Sequence, residues 1–387
     1  MKHKNFTLII LALIGALLFS LLTVYASAEG SRALQKKPSV SARSAALYEP
    51  TTKQFLFTKN PDERLPMAST TKIMTAIVAL ENADLQDYVK IDERAVGVEG
   101  SSAYLKANEI IPLEELIYAL MLQSANDAAE SIAYHISGDI QSFAALMNEK
   151  AKAIGLCDTN FENPHGLDSD NHYTTARDLA IIAACALEKP FLRTVCSTYK
   201  KTFKSEGRRR TYVNHNKLLL RIDGAVGLKT GFTKKSGRCL VGAAERDNLM
   251  LISVTLDAPN DWNDHEAMLN CGFSTLEMVK LIDKDELSFD IPVINSQGRT
   301  LIVKCQDDVA KVMPKQAREI KQHVKLPSIL VAPIKRGDTV GTVIVTVDGE
   351  KTAEARLIAE HDISAKEKEG LLSRIFKRFI NIKDDHK

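Results

Sequence analysis

Three short stretches carry side chains suited to covalent catalysis at a carbonyl group. In "PMASTTKIMTA" (66–76), Ser69 stands three residues before Lys72, at the head of a segment with helical apolar spacing. Residues i and i+3 share a helix face, so the lysine can hold its amine against the serine hydroxyl. A neutral amine there can take the hydroxyl proton and make Ser69 a nucleophile. Neutrality near pH 7 requires burial or a nearby cation. A helix start also brings backbone N–H groups towards a developing oxyanion. Ser-x-x-Lys alone is a common chance pattern, and a serine at a helix start is also the ordinary N-cap. Ser124-Ala125-Asn126 falls between two apolar-periodic segments, where a short loop can aim a hydroxyl and an amide into a cleft. Lys229-Thr230-Gly231 ends an extended stretch. The lysine and threonine offer a cation and a hydroxyl to a carboxylate, and Gly231 lets a substrate backbone approach. The three together, in this order, are far more specific than any one of them.

These residues need a scaffold, and the periodicity of the chain supplies one. "SAALYEPTTKQFLFTKN" (44–60) reads as a β-hairpin around Pro50-Thr51-Thr52. Ile73, Met74, Ile77, Val78 and Leu80 predict a helix from about Ser69 to Asn82. Pro112 opens a second helix, "PLEELIYALMLQ". A third follows with Asn126 or Asp127 as cap, a fourth spans about 141–154, and "TARDLAIIAACALE" (175–188) is a fifth. Beyond residue 195 strands take over: 224–233, "LVGAA" (240–244) and "LMLISVTLD" (249–257). Strands, helices and strands in that order predict an α+β fold, an antiparallel sheet joining both ends of the segment with a helical block between them. The catalytic segment is expected over 44–285. A small β-rich domain follows at 286–359, with short alternating strands such as "DTVGTVIVTVDG".

The 387-residue chain is long enough for two or three domains, with ordinary apolar (45%) and charged (26%) content. Lys2 and Lys4 precede an apolar run from Phe6 to Tyr25, and Ala26-Ser27-Ala28 follows. This reads as a secretory signal over 1–28, cut after Ala28, with an uncleaved anchor as the alternative because the run is long. Residues 29–43 read as a flexible lead-in. Removing 1–28 takes the formal charge from +2 to 0, so no basic field suggests a nucleic-acid partner. Six scattered cysteines form no C-x-x-C pair and read mostly as buried small apolar residues. Nine histidines form no zinc-binding cluster, so neither a metal nor a cofactor is expected. At the C-terminus, over 360–387, Leu371, Leu372, Ile375, Phe376, Phe379 and Ile380 make one helical stripe flanked by Arg374, Lys377, Arg378 and Lys383. Such a basic amphipathic helix commonly lies in a membrane surface. Export together with this tail predicts a peripheral protein on the outer face of the cytoplasmic membrane.

The three stretches resemble the motifs of the serine penicillin-recognising acyl transferases. "LPMASTTKIMTA", "MLQSANDAA", "NPHGLD", "TTARDLA", "HNKLL" and "GLKTGFT" are similar to one branch of them, the D-alanyl-D-alanine carboxypeptidases or low-molecular-mass penicillin-binding proteins. The similarity covers about 40–280 closely, and the β domain and tail match that family's layout. It implies a β-lactamase/transpeptidase-like fold for the catalytic domain. It implies that Ser69 attacks the bond between two D-alanines of a peptidoglycan pentapeptide stem while Lys72 takes the serine proton. Ser124 would relay a proton to the leaving D-alanine, and Asn126 would hold the substrate amide. Lys229 and Thr230 would bind the terminal carboxylate beside Gly231 and help keep Lys72 neutral. The backbone N–H groups of Ser69 and Phe232 would form the oxyanion hole. β-Lactam antibiotics would acylate Ser69 as inhibitors.

Two positions depart from the family pattern. "APNDWNDHEAMLNCGF" (258–273) lacks the arginine that assists carboxylate binding in relatives, and Phe232 stands where a histidine is frequent. A class A-like β-lactamase is one rival, but no E-x-x-L-N motif lies between 127 and 200. A binding module with a decayed site is another, opposed by the presence of all seven motif residues. DD-endopeptidase or transpeptidase chemistry would use the same residues. His165 reads as a loop-ordering residue rather than a base, "KKTFKSEGRRR" (200–210) as a solvated hairpin rather than a polymer grip, and Trp262 as packing.

Overall fold

The structure is a computed structural model that describes residues 37–205, 208–296 and 300–366. The expected signal 1–28, the start of the lead-in and the apolar stripe of the tail lie outside the described residues. Among those described, no helix is long and apolar enough to cross a membrane.

The chain divides between Glu277 and Met278. In the first unit, strands β1 (Ser44–Glu49) and β2 (Gln54–Lys59) form the expected hairpin. A 3₁₀ turn at Ala68–Thr71 leads into helix α1 (Lys72–Asn82). The single helix predicted from Ser69 is therefore two elements. Thr70 and Thr71 return their hydroxyls to the carbonyls of Met67 (2.6 Å) and Ala68 (2.8 Å), bonds that tighten the first turn. Strands β3 (Tyr88–Lys90) and β4 (Ile110–Pro112) pair ahead of α2 (Leu113–Leu122), α3 (Asn126–Ser137), α4 (Ile140–Ala153), α5 (Ala176–Leu187) and the short α6 (Pro190–Ser197). Hairpin β5 (Lys200–Ser205) with β6 (Arg208–Val213) precedes the one-turn α7 (Leu218–Arg221). Then come β7 (Ala225–Thr233), β8 (Gly237–Arg246), β9 (Leu249–Leu256) and α8 (Asp261–Thr275).

The main sheet is antiparallel with order β2-β1-β9-β8-β7, so both ends of the unit meet in it and β7 is an edge. Strands β1 and β9 are buried along their whole length, which explains their near-continuous apolar sequences. Ala46, Ile252 and Val254 face the main helical core, while Leu47 and Leu251 meet Gly272 of α8 on the other face. Helix α1 is the centre of the helical block, buried from Lys72 to Ala79. The end of the lead-in is tied down, because the backbone N–H groups of Ser41 (2.8 Å) and Ala42 (2.9 Å) donate to the Asp264 carboxylate.

Among the described residues, the regular structure of the second unit is all β. Leu276–Ile282 pairs with Val309–Pro314, and a six-stranded sheet runs between Ser288 and Ala359. Composition placed the break near 285. It falls earlier because Leu281 and Ile282 already belong to the core that Val303, Val343 and Leu357 fill.

Asn126 and Asp127 are not caps. Ala125 occupies the N-cap position of α3 without a side-chain cap. The Asp127 carboxylate reaches back over the loop before α2, accepting from the N–H groups of Ala103 (2.9 Å) and Leu105 (3.1 Å) and from the Ser102 hydroxyl (2.6 Å). Asp127→Ala strands those two buried donors. We expect a loss on the order of 3 kcal/mol in denaturant unfolding, with hydrogen exchange accelerated at 103–105.

Candidate active site

Lys72 is the first residue of α1 and is fully buried. Its Nζ lies 2.8 Å from Ser69 Oγ, 2.7 Å from Asn126 Oδ1 and 2.6 Å from the His165 carbonyl oxygen. Two of these partners can accept but never donate. A neutral amine has two N–H bonds and one lone pair. The amide and carbonyl oxygens take the two N–H bonds, so the lone pair faces the one partner that carries its own proton, the Ser69 hydroxyl. Burial holds the Lys72 amine well below the usual lysine range, and the Lys229 cation pushes it further down; the Asp127 carboxylate pulls the other way. Ser69 is half-buried, and its hydroxyl caps neither the 3₁₀ turn nor α1.

The turn that carries Ser69 is clamped between two glycines. A Cβ on Gly166 would stand 1.9 Å from the Ala68 carbonyl oxygen, and one on Gly231 would stand 2.9 Å from Ser69 N and 3.1 Å from Ala68 Cβ. Gly231, expected to admit a substrate backbone, is thus required on this side by the turn that carries Ser69. Gly166 also holds φ at +89°. It stands out in the sequence just as the glycine of "NPHGLD". The loop is pinned from several directions: Pro164 O accepts from Thr75 of α1 (2.6 Å), and Asp168 accepts from Thr233 at the end of β7 (2.9 Å).

Lys229 is buried in edge strand β7, and its Nζ donates to the Thr230 carbonyl at 3.0 Å. Burial brings its pKa down to about 7. Thr230 and Gly231 are half-buried, and Phe232 exposes 66% of its surface. Ser124 is buried, at φ +62°, two residues before Asn126. Among the described residues no hydrogen bond joins its hydroxyl to Lys72, whose Nζ reaches Asn126 instead. The loop before β7 is drawn in beside it, because His215 N–H donates to the Leu122 carbonyl at 3.1 Å.

The remaining candidates sort simply. His165 orders its loop, its Nδ1 accepting from Leu167 N–H at 3.1 Å. Arg208 and Arg210 of the basic hairpin pair with Glu109. Trp262 is half-buried in the first turn of α8. The 258–273 stretch brings no arginine; its Asp261 holds Arg238, the cross-strand partner of Phe232, at 3.0 Å. None of the six cysteines is in a disulfide; Cys196, Cys239 and Cys305 are buried and Cys157 is exposed. Among the described residues no group of three or more His, Cys, Asp and Glu side chains is arranged to hold a metal ion.

An antiparallel sheet flanked by a helical block, with a buried lysine amine 2.8 Å from a serine hydroxyl, is the arrangement a serine acyl-transfer enzyme needs. The family model for D-alanyl-D-alanine carboxypeptidases matches residues 31–260, and the model for the C-terminal domain of penicillin-binding protein 5 matches 276–365. The chain is 31% identical to the D-alanyl-D-alanine carboxypeptidase DacF of Bacillus subtilis over 363 residues, 91% of this chain and 93% of that one. It is also 31% identical to the D-alanyl-D-alanine endopeptidase of Escherichia coli over 263 residues, 67% of this chain and 84% of that one. Penicillin-binding protein 5 from Haemophilus influenzae superposes with a TM-score of 0.70 at 30% identity, covering 85% of this chain and 99% of that one. The chain belongs to the D-alanyl-D-alanine carboxypeptidase family and is a serine-type peptidase.

The buried lysines have a price in stability. The Lys229 pKa falls from 10.5 to about 7 on folding. Between those values the unfolded chain binds a proton that the folded one lacks, so stability rises with pH across that window. Lys229→Met removes the penalty. Its stability gain over the parent should be largest at and below about pH 7, fade towards pH 10.5, and raise Tm at pH 7 by at least about 2 °C. Denaturation at several pH values checks this.

Proposed function

We propose that Ser69 is the nucleophile and Lys72 the base of a D-alanyl-D-alanine carboxypeptidase acting on peptidoglycan pentapeptide stems. The observation that supports this best is the Lys72 amine 2.8 Å from the Ser69 hydroxyl, its N–H bonds engaged by Asn126 and His165. Ser69 Oγ bonds to the carbonyl carbon of the penultimate D-alanine as its proton passes to Lys72. The backbone N–H groups of Ser69 and Phe232 receive the oxyanion. The C–N bond then breaks and the departing amine takes a proton through Ser124. Water attacks the ester, and Ser69 recovers its proton. Lys229 and Thr230, with Gly231 beside them, bind the terminal carboxylate, and Asn126 contacts the substrate amide. A β-lactam presents a similar acyl group and acylates the same oxygen. Endopeptidase or transpeptidase chemistry would differ only in the bond offered and the acceptor. The class A-like β-lactamase reading needs a glutamate to activate water; the Glu162 carboxylate of the loop beside Lys72 is instead held by the Ser169 hydroxyl. The basic leader and amphipathic tail support a place in the cell-wall space, at the outer face of the membrane.

Intact mass after penicillin treatment should show one persistent adduct, mapped to the Ser69 peptide, and pentapeptide should release D-alanine. Ser69→Ala should abolish both. Rapid turnover of penicillin, or labelling that survives the substitution, would overturn the reading. Deleting 365–387 should free the signal-cleaved protein from sedimented membranes; retention would show that the tail is not the anchor.

A further inference from the structure

Helix α3 reaches Lys72 by two routes. Asn126 in its first turn accepts from Nζ directly at 2.7 Å. One turn on, at i+4 and therefore on the same face, stands Glu130. Its Oε1 lies 3.3 Å from His165 Nε2, with the two side chains only 13% and 8% exposed. The tautomer of His165 follows from its other nitrogen. Leu167 N–H donates to Nδ1, so Nδ1 is bare and Nε2 carries the hydrogen, on the side that faces the Glu130 carboxylate. Burial keeps this imidazole below its usual pKa, as does the nearby Lys72, while Glu130 opposes them. The backbone carbonyl of the same histidine is the second acceptor for Lys72, at 2.6 Å. Within the turn, Asn163 Oδ1 accepts from Gly166 N–H at 2.7 Å, and its amide donates to Leu167 O at 3.0 Å. Thr75 anchors the turn to α1, and Glu130 anchors it to α3.

We propose that Glu130 is a positioning residue for the general base. Through His165 it fixes the carbonyl that occupies one N–H of Lys72, which leaves the lone pair of the amine pointed at Ser69. Both acceptors of the amine are thereby referred to one rigid helix. The inference rests on the reading of Lys72 as the base.

The test compares Glu130→Ala, Glu130→Gln, His165→Ala and the Glu130→Ala/His165→Ala double variant. Tm and the rate of Ser69 acylation by penicillin are measured for each, with kcat and KM on a D-alanyl-D-alanine peptide. Glu130→Ala should slow acylation and kcat by about 10- to 100-fold with KM within about twofold, because a displaced base costs the reactive geometry and little of the binding. Glu130→Gln still accepts from Nε2–H and should recover most of the rate. The double variant should be no slower than the slower single, since both remove one interaction. If Glu130→Ala does not fold, Glu130→Met, which keeps the volume and accepts nothing, takes its place. Acylation at the parental rate, a Gln variant no better than Ala, or additive losses in the double variant would each overturn the proposal. Failure of the unaltered protein to acylate at Ser69 would instead overturn the base assignment itself.

Discussion

A primary amine sealed inside a protein with no carboxylate in contact is an expensive object. Lys72 is surrounded by one hydroxyl, one amide oxygen and one backbone carbonyl. As an ammonium it would pay several kcal/mol of desolvation with no paired anion to repay it. The core answers by holding the amine's pKa well below the usual lysine range. That requires α1 to be buried on all sides, and its sequence meets the requirement with Ile73, Met74, Ala76, Ile77, Val78 and Ala79 around the one lysine. It also requires that no anion be free to pair. Asp127, one residue after Asn126, is close enough to act on Lys72 electrostatically. Its oxygens, however, are already committed to the 102–105 loop and to its own helix.

The second consequence is architectural. Each partner of the amine comes from a different part of the chain: the turn before α1, the start of α3, and the loop after α4. Their sequence separations from Lys72 are 3, 54 and 93 residues. No local structure could supply them, so the helical block has to be closed against the sheet before the lone pair has a direction. The loop 163–170 is what closes it. It is tied to α1 through Thr75, to α3 through Glu130, and to the end of β7 and the turn beyond it through Thr233 and Lys235. Gly166 and Gly231, from this loop and from β7, then fit against opposite parts of the Ala68-Ser69 backbone.

This division also explains what could be read before the fold was known. Ser69 with Lys72, Ser124 with Asn126, and Lys229 to Gly231 are each local patterns, and local spacing survives in a sequence. That one antiparallel sheet joins both ends of the segment was legible for the same reason, since strands at both ends of a helical segment have few ways to pair. Glu130 was invisible, because its meaning lies in a histidine 35 positions away, and a glutamate on a helix ordinarily reads as surface. The same blindness assigned Asn126 and Asp127 to capping, the commonest local use of those residues, when both are spent on long-range partners. Gly231 was read for the substrate alone, because the Ser69 backbone it also admits is 162 residues earlier. The early start of the second unit escaped notice because Leu281 and Ile282 match the apolar residues of α8 in composition and differ only in which core they enter.

Backbone strain completes the account. Ala68 and Ser124 both hold positive φ, at +47° and +62°, in a region that favours glycine. Each costs roughly 1–2 kcal/mol. Glycine would remove that cost at either position, and the surroundings show why it is absent. At 124 glycine would also remove the hydroxyl assigned to the proposed proton relay. At 68 the methyl is buried against β7, with its Cβ 3.1 Å from where a side chain on Gly231 would begin. It fills the space that the missing side chain of Gly231 leaves. A glycine at 68 would relax the turn and leave a void beside Ser69, freeing its hydroxyl to move away from the Lys72 amine. The strain is therefore placed one residue before Ser69, where surrounding contacts over-determine the conformation.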